Sequence, residues 1–325
     1  SQYLILGTLL FATFLIKFVV ILIGNYQIIN FGLKQQVRMQ KIMINNYLSQ
    51  SYESFIVSNS SFSIVAATSF TRKFKEVLIA IFRFFSDSLV LLSAVLILAV
   101  VNIEMFLLLI GLFSIASCVY FYILIPKLRE YGSIFNMSNS RMVESLSESS
   151  SGFKEIKVYR KESFFENKFN HSAAQMAATE IRQNIISIIP RNFFELILVF
   201  FIVAFVILGN PSSENFGDLI FSLGIFAAAA IRIMPTLTQL YMHVNTINFS
   251  RDAIFKLYDL VKDNKIFNKT SSKNFQDLSS QNNSEFLKLS LKNVSFSYGN
   301  DLILKDCNLE IFKGDYLGII GESGS

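Results

Sequence analysis

Five residues at the end of the sequence have the composition of a phosphate cradle. Gly321-Glu322-Ser323-Gly324-Ser325 follow the apolar run Tyr316–Ile320 (YLGII). They fill the first five positions of the pattern G-x-x-x-x-G-K-[ST], in which a loop joins a buried strand to a helix. Small residues let backbone N–H groups close around phosphate oxygens at the helix start. In the full pattern a lysine reaches the outer phosphates and a hydroxyl holds magnesium. Those positions are expected just beyond Ser325. Any Gly-Ser turn after a strand matches these five residues, so the surrounding elements must carry the argument.

Three cations form a second set. Lys17, Arg191 and Arg232 stand in or at the edge of long apolar stretches. Charge inside a bilayer is expensive and marks a functional position. At ~1.5 Å per residue, each lies ~20–25 Å from the outer end of its helix. Cations at one depth are expected to ring an anionic head group, with the arginines gripping it bidentately. Glu195, four residues after Arg191, also has the spacing of a structural helix pair. Lys17 also suits a side chain that snorkels to the interface. His171 and His243 are single histidines outside any ligand cluster. Cys118 and Cys307 are isolated, and read as free buried thiols rather than a disulfide or metal framework.

The elements that position these residues follow from composition. The 325 residues are 52% hydrophobic and 16% charged, which is too apolar for an ordinary soluble domain. Five segments are long and apolar enough to cross a bilayer: Tyr3–Gly24, Val77–Val101, Glu104–Ile125, Phe193–Leu208 and Phe216–Leu240. The fourth is short, so its helix is expected to begin upstream, near Ile185. The start of the chain is too long and lacks the basic flank of a signal peptide.

The net charge of +5 sits mostly in the two long connections, residues 25–76 and 126–182. The short connections, Asn102-Ile103 and Gly209–Asn215, hold no Lys or Arg. The charge is therefore an orientation signal rather than a nucleic-acid surface, and it places the long connections in the cytoplasm. Within them Ile28–Tyr47, Leu128–Glu148 and Ser163–Ile189 keep helical spacing. Each connection thus reads as two helices projecting from the membrane and joined by a small tip. The tips lie near Ser49–Ser61 and Gly152–Glu162. Pro190 and Pro235 fall inside helical stretches, as hinges or static bends.

Residues 262–285, rich in Asn, Ser, Lys and Gln, read as a solvated linker. Beyond them Phe286–Tyr298 alternates apolar and polar residues, a strand signal. Leu309–Phe312 suits a second short strand, Lys313-Gly314-Asp315 a turn, and Tyr316–Ile320 a short buried strand. A soluble α/β domain is expected to begin here.

This order of strand, Ser-Tyr-Gly, strand, Lys-Gly-Asp turn, apolar strand and Gly-Glu-Ser-Gly-Ser resembles the opening of an ABC-transporter nucleotide-binding domain. The helices with two tips resemble the six-helix exporter fold, and the resemblance covers essentially the whole chain. It implies a mainly α polytopic membrane protein with three parts. These are an exporter transmembrane domain over 1–261, the linker, and the start of a nucleotide-binding domain over 286–325. It further implies that a first helix precedes Ser1.

The resemblance also implies ATP and Mg2+ as cofactors, with Tyr298 stacking on adenine and Gly321, Glu322, Ser323, Gly324 and Ser325 around the phosphates. It implies a second half-transporter as partner, expected to be another copy of the same protein, each ATP being shared between two nucleotide-binding domains. Tyr52 and Phe55 in the first tip, and Lys154, Glu155, Ile156, Lys157, Val158 and Tyr159 in the second, become candidate coupling residues. The catalytic residues of such a protein lie outside these 325, so the chain alone is not expected to hydrolyse ATP.

Pro190-Arg191 with Glu195, Ile231–Pro235 and Gly152–Lys157 resemble stretches of exporters that flip lipid-linked oligosaccharides in the cytoplasmic membrane. The expected cargo is thus amphipathic and anionic, meeting Lys17, Arg191 and Arg232. The alternatives are an exporter of peptides, toxins or drugs, and, from another class, a passive channel or membrane scaffold.

Overall fold

The computed structural model describes the backbone of residues 2–50, 52, 55, 60–101, 103–208, 216–262, 286–298 and 301–320. Several side chains within these ranges, including residues 216–223 and 225–232, lie outside the description. So do the expected turn at Gly209–Asn215, most of the expected linker and the expected phosphate loop Gly321–Ser325.

The helices are α1 (Gln2–Leu48), α2 (Ser60–Val65), α3 (Thr71–Val101), α4 (Ile103–Ser151), α5 (Phe153–Tyr159), α6 (Glu162–Leu208) and α7 (Phe216–Phe249). A π-helical turn, Ala66–Phe70, joins α2 to α3, and residues 251–262 are again helical. In lipid every backbone polar group must find its partner inside the segment, which favours unbroken helices. α1 and α6 have 47 residues each and α4 has 49. At ~1.5 Å per residue they are ~70 Å long, more than twice the ~30 Å hydrocarbon core. They run on past any membrane, and α6 is continuous from Glu162. Pro126, Pro190 and Pro235 lie inside α4, α6 and α7.

Among the described residues four segments are long and apolar enough to span: Tyr3–Leu48, Ser60–Leu96, Ile110–Ser151 and Glu162–Ala204. The fifth expected span, Phe216–Leu240, falls within α7, where most of its side chains are outside the description.

Two clusters hold the helices together. One joins α4, α6 and α7 through Tyr120, Leu128, Ile186, Phe194 and Tyr241. The other joins α1, α2, the π-turn and residues 251–262 through Met43, Val65, Phe70, Ala253 and Leu257. Lys73 lies over the rings of Phe135 and Phe249, at 5.5 and 5.2 Å. At Gly132 the backbones of α4 and α7 touch. A Cβ there would stand 1.9 Å from the Phe249 carbonyl oxygen. Cys118 is exposed on α4 and Cys307 half-buried, and both are free. The expectation of buried thiols fails at Cys118 because, among the described residues, nothing covers that face of α4.

The chain divides into two units, Ser1–Ser49 with Asn59–Val261, and Gln50–Ser58 with Lys262–Ser325. The second unit contains β1 (Lys288–Tyr298) and β2 (Asp301–Phe312), paired antiparallel. β2 is longer than its expected extent, Leu309–Phe312. Register shifts break its period-two pattern on the paired strand, between Leu291 and Val294 and between Val294 and Ser297.

The Lys313-Gly314 turn forms as expected. Gly314 has φ +95, a region open to glycine, and the Asp315 carboxylate accepts from the Phe312 N–H at 2.8 Å. Tyr316–Ile320 is neither a strand nor buried, contrary to expectation. An apolar run becomes a buried strand when a neighbouring strand takes its backbone groups and a layer covers its side chains. The described residues provide neither.

Gly132→Ala is expected to destabilise the helical unit by about 1–3 kcal/mol through overpacking. Thermal unfolding of the purified protein in detergent measures this, against Gly111→Ala as control, whose Cβ would meet nothing within 4 Å.

Candidate functional site

The polar side chains of the helices gather into a band. Four interhelical contacts define it. Arg83 of α3 donates to the Asn25 side-chain oxygen of α1 at 3.3 Å. Asp87, one turn along α3, meets the His243 ring of α7 at 3.0 Å, with the histidine side chain 9% exposed. The Tyr120 hydroxyl of α4 donates to Asn245 Oδ1 of α7 at 2.8 Å. The Tyr241 hydroxyl donates to Ser117 Oγ at 2.5 Å.

Pro190 explains why a tyrosine stands here. Proline has no N–H, so the carbonyl four residues earlier, at Ile186, loses its helical donor. The Tyr120 hydroxyl stands 3.5 Å from that carbonyl oxygen. One side chain therefore sits beside a carbonyl freed in α6 and bonds an amide in α7.

These contacts set the relative heights of the helices and correct one expectation. Tyr120, Ile186 and Asn245 are level. Arg191 is five residues from Ile186 toward the short-connection ends, ~8 Å. Arg232 is thirteen residues from Asn245 in the same direction, ~20 Å. The two arginines thus differ by ~12 Å in height and do not form one ring. Counting from each helix's own end missed this because α7 is offset along its axis relative to α4 and α6.

Lys17 is eight residues beyond Asn25, ~12 Å. Through the Arg83 and Asp87 contacts this brings it to about the Arg191 level. Lys17 and Arg191 are both exposed, and Lys17 Nζ lies 5.5 Å from the Phe14 ring. No ion pair joins Arg191 to Glu195. The Arg232 side chain is outside the description.

In the first tip Tyr52 and Phe55 are helical and exposed, and their rings stack at 6.5 Å. The second tip is α5, which buries none of its residues. Lys154, Glu155 and Lys157 are exposed and Ile156 half-buried. Arg160 closes α5 in the left-handed region, φ 53 and ψ 46. The Lys161 N–H bonds the Ile156 carbonyl and the Arg160 N–H bonds that of Lys157, at 3.0 and 3.4 Å. This is a helix stop that usually carries glycine.

Lys157 bridges to Glu162 at 3.0 Å, so it also ties the tip to α6. Glu162 opens α6. Its own backbone N–H, then Lys157, hold its carboxyl below the usual carboxylate range. Its contribution is therefore present at neutral pH and is lost as pH falls through that lowered value. Phe153 and Tyr159, at the two ends of α5, leave 62% and 72% of their surface exposed. Phe153 lies inside the expected tip but was not among the expected coupling residues. Large apolar residues on a short exposed helix were its signal.

Tyr298 ends β1, paired with Asp301, and its side chain is outside the description. Gly321, Glu322, Ser323, Gly324 and Ser325 lie outside it as well. Arg83, Asp87 and the partnered state of His243 also escaped the sequence reading. Both charges stand inside the expected span Val77–Val101, where two ionisable residues four apart were the available signal.

Comparison with known proteins bears on this arrangement. Residues 2–233 match the family model described as the ABC transporter transmembrane region. A solved structure of a bacterial Atm1-family ABC exporter with ATP bound is 14% identical. It aligns with a TM-score of 0.59 over 87% of this chain and 49% of its own length. Over 37 residues the chain is 54% identical to the ergothioneine transport ATP-binding protein EgtV of Helicobacter pylori (strain G27). That stretch is 11% of this chain and 17% of the relative. The chain thus spans about half the solved exporter and a small part of the curated relative.

Separate substitutions Asp87→Leu and His243→Leu are each expected to lower stability by about 1–3 kcal/mol, by leaving a polar partner unpaired. The double variant is expected to lose less than the sum. A double-mutant cycle on thermal unfolding measures the coupling, and additive losses show that the pair contributes nothing.

Proposed function

The chain belongs to the ABC transporter transmembrane region family, and on that premise we propose that it is the membrane part of an ATP-driven exporter. The observation that carries this is the family match across residues 2–233, on helices more than twice a bilayer in length. In this reading the tips and the C-terminal unit face the cytoplasm, and two half-transporters pair. ATP and Mg2+ bind at the nucleotide-binding domains, Tyr298 stacks on adenine, and Gly321–Ser325 begin the phosphate loop.

The tips are the levers of the machine. Tyr52 and Phe55 in one, and Phe153, Lys154, Glu155, Ile156 and Tyr159 in the other, offer exposed surface for a nucleotide-binding domain to grip. Closure of those domains on ATP moves the tips, and the unbroken helices carry the movement into the membrane.

The cargo we infer is an amphipathic anion, of the lipid-linked oligosaccharide kind, moved from the inner to the outer leaflet. Support comes from the Pro190-Arg191 and Ile231–Pro235 stretches and from the cations. Lys17 and Arg191 stand at one level and Arg232 ~12 Å nearer the short-connection ends. They suit successive contacts for an anionic group better than a single ring. A passive channel or scaffold is the alternative from another class.

The test uses the full-length protein in proteoliposomes, reading ATP hydrolysis and movement of a fluorescent lipid-linked oligosaccharide. ATP-dependent movement is expected. Arg191→Ala and Arg232→Ala are each expected to reduce it roughly tenfold, the effect of one lost charge-assisted contact, with basal hydrolysis unchanged. Transport unaffected in both variants removes the substrate role. Movement without ATP favours the channel.

Replacing Tyr159 with alanine is expected to lower cargo-stimulated hydrolysis while sparing the binding of a fluorescent ATP analogue. Unaltered stimulation removes the second tip from coupling.

A further inference from the structure

We propose that the seam between α1 and α3 binds the phosphate head group of an anionic phospholipid, with Arg83 at its centre. The inference rests on the orientation above, in which the tips face the cytoplasm.

Height is the first argument. Arg83 is 18 residues along α3 from Val101, and Asn25 of α1 is level with it through their contact. That count gives ~27 Å, about one hydrocarbon thickness from the short-connection end of α3. Arg83 therefore stands at the cytoplasmic edge of the bilayer, where phosphate groups lie.

Charge is the second. α1 contains no Asp or Glu. In α3 Glu76 pairs with Lys73 at 3.1 Å, and Asp87 with His243 at 3.0 Å. Both acids of α3 are thus committed to other partners. Arg83 is half-buried, and among the described residues its side chain hydrogen-bonds a neutral amide oxygen and forms no ion pair. That amide's own N–H is spent on the Ile21 carbonyl at 3.0 Å, which turns its oxygen to Arg83. The guanidinium keeps further donors in the fork geometry that grips a phosphate.

The seam continues the charge toward the tips. Gly32 lets α3 come close, so that the Lys75 Cγ would lie 3.4 Å from a Cβ there. Tyr26, 69% exposed, suits the head-group level one residue after Asn25. Basic pockets between helices on the cytoplasmic side bind anionic head groups in this way.

The test places the full-length protein in phosphatidylcholine vesicles and compares spin-labelled phosphatidylglycerol with spin-labelled phosphatidylcholine by electron paramagnetic resonance. The protein is expected to immobilise the anionic label several-fold more strongly. Arg83→Gln should reduce that preference roughly fivefold, the effect of one surface cation, and Arg83→Lys, which keeps the charge and loses the fork, should retain part of it. Lys127→Gln, on α4 ~8 Å nearer the tips, should leave it unchanged.

An unaltered preference in Arg83→Gln overturns the proposal. So does an equal loss in Lys127→Gln, which would mean a general attraction. Abolition of the preference by inorganic phosphate at constant ionic strength would make the site one for free anions. If Arg83→Gln fails to insert, Lys75→Gln in the Arg83→Lys background decides by the same criterion. The readout needs neither ATP nor cargo, so its failure leaves the exporter reading standing, and the converse holds.

Discussion

A proline in one helix and a tyrosine in its neighbour set the register on which the helical unit depends. Pro190 frees the Ile186 carbonyl, and the Tyr120 hydroxyl stands beside it while bonding Asn245. A freed carbonyl in an apolar interior costs about 1–3 kcal/mol if nothing answers it. That cost favours one height for α4 against α6 and α7. Tyr241, one turn along α7, holds Ser117, one turn along α4, at the same offset. The polar band is thus a set of alignment marks as much as a site.

Much of the helical architecture is legible in sequence because lipid simplifies the rules. Apolar length marks a span, basic connections mark one side, and unbroken helical spacing marks the projections. The tips were legible as interruptions. Heights were not, because they depend on which side chains meet across helices. Lys17, Arg191 and Arg232 look level when each is counted along its own helix, and the Tyr120 contacts separate the arginines.

Arg83 and Asp87 hid for a related reason. An apolar window absorbs two charges without losing its character, and their partners Asn25 and His243 are 58 and 156 residues away in sequence. In the strand unit the pairing signal at Phe286–Tyr298 was clear. The irregular register opposite it concealed the first eight residues of β2.

Gly132 has a mechanical consequence. Where two helices touch through long side chains, they can slide by small rotamer changes. Where a carbonyl of one lies against the bare α-carbon of the other, no side chain remains to absorb a shift. α4 is further pinned by Arg129 to Asn248 of α7 and by Asn136 to Asp252 of the helical segment 251–262 that follows, at 2.8 and 2.9 Å. Together α4 and α7 act as one strut. A push arriving at its lower end must turn the pair as a rigid body, with the movement taken up where side chains still separate the helices.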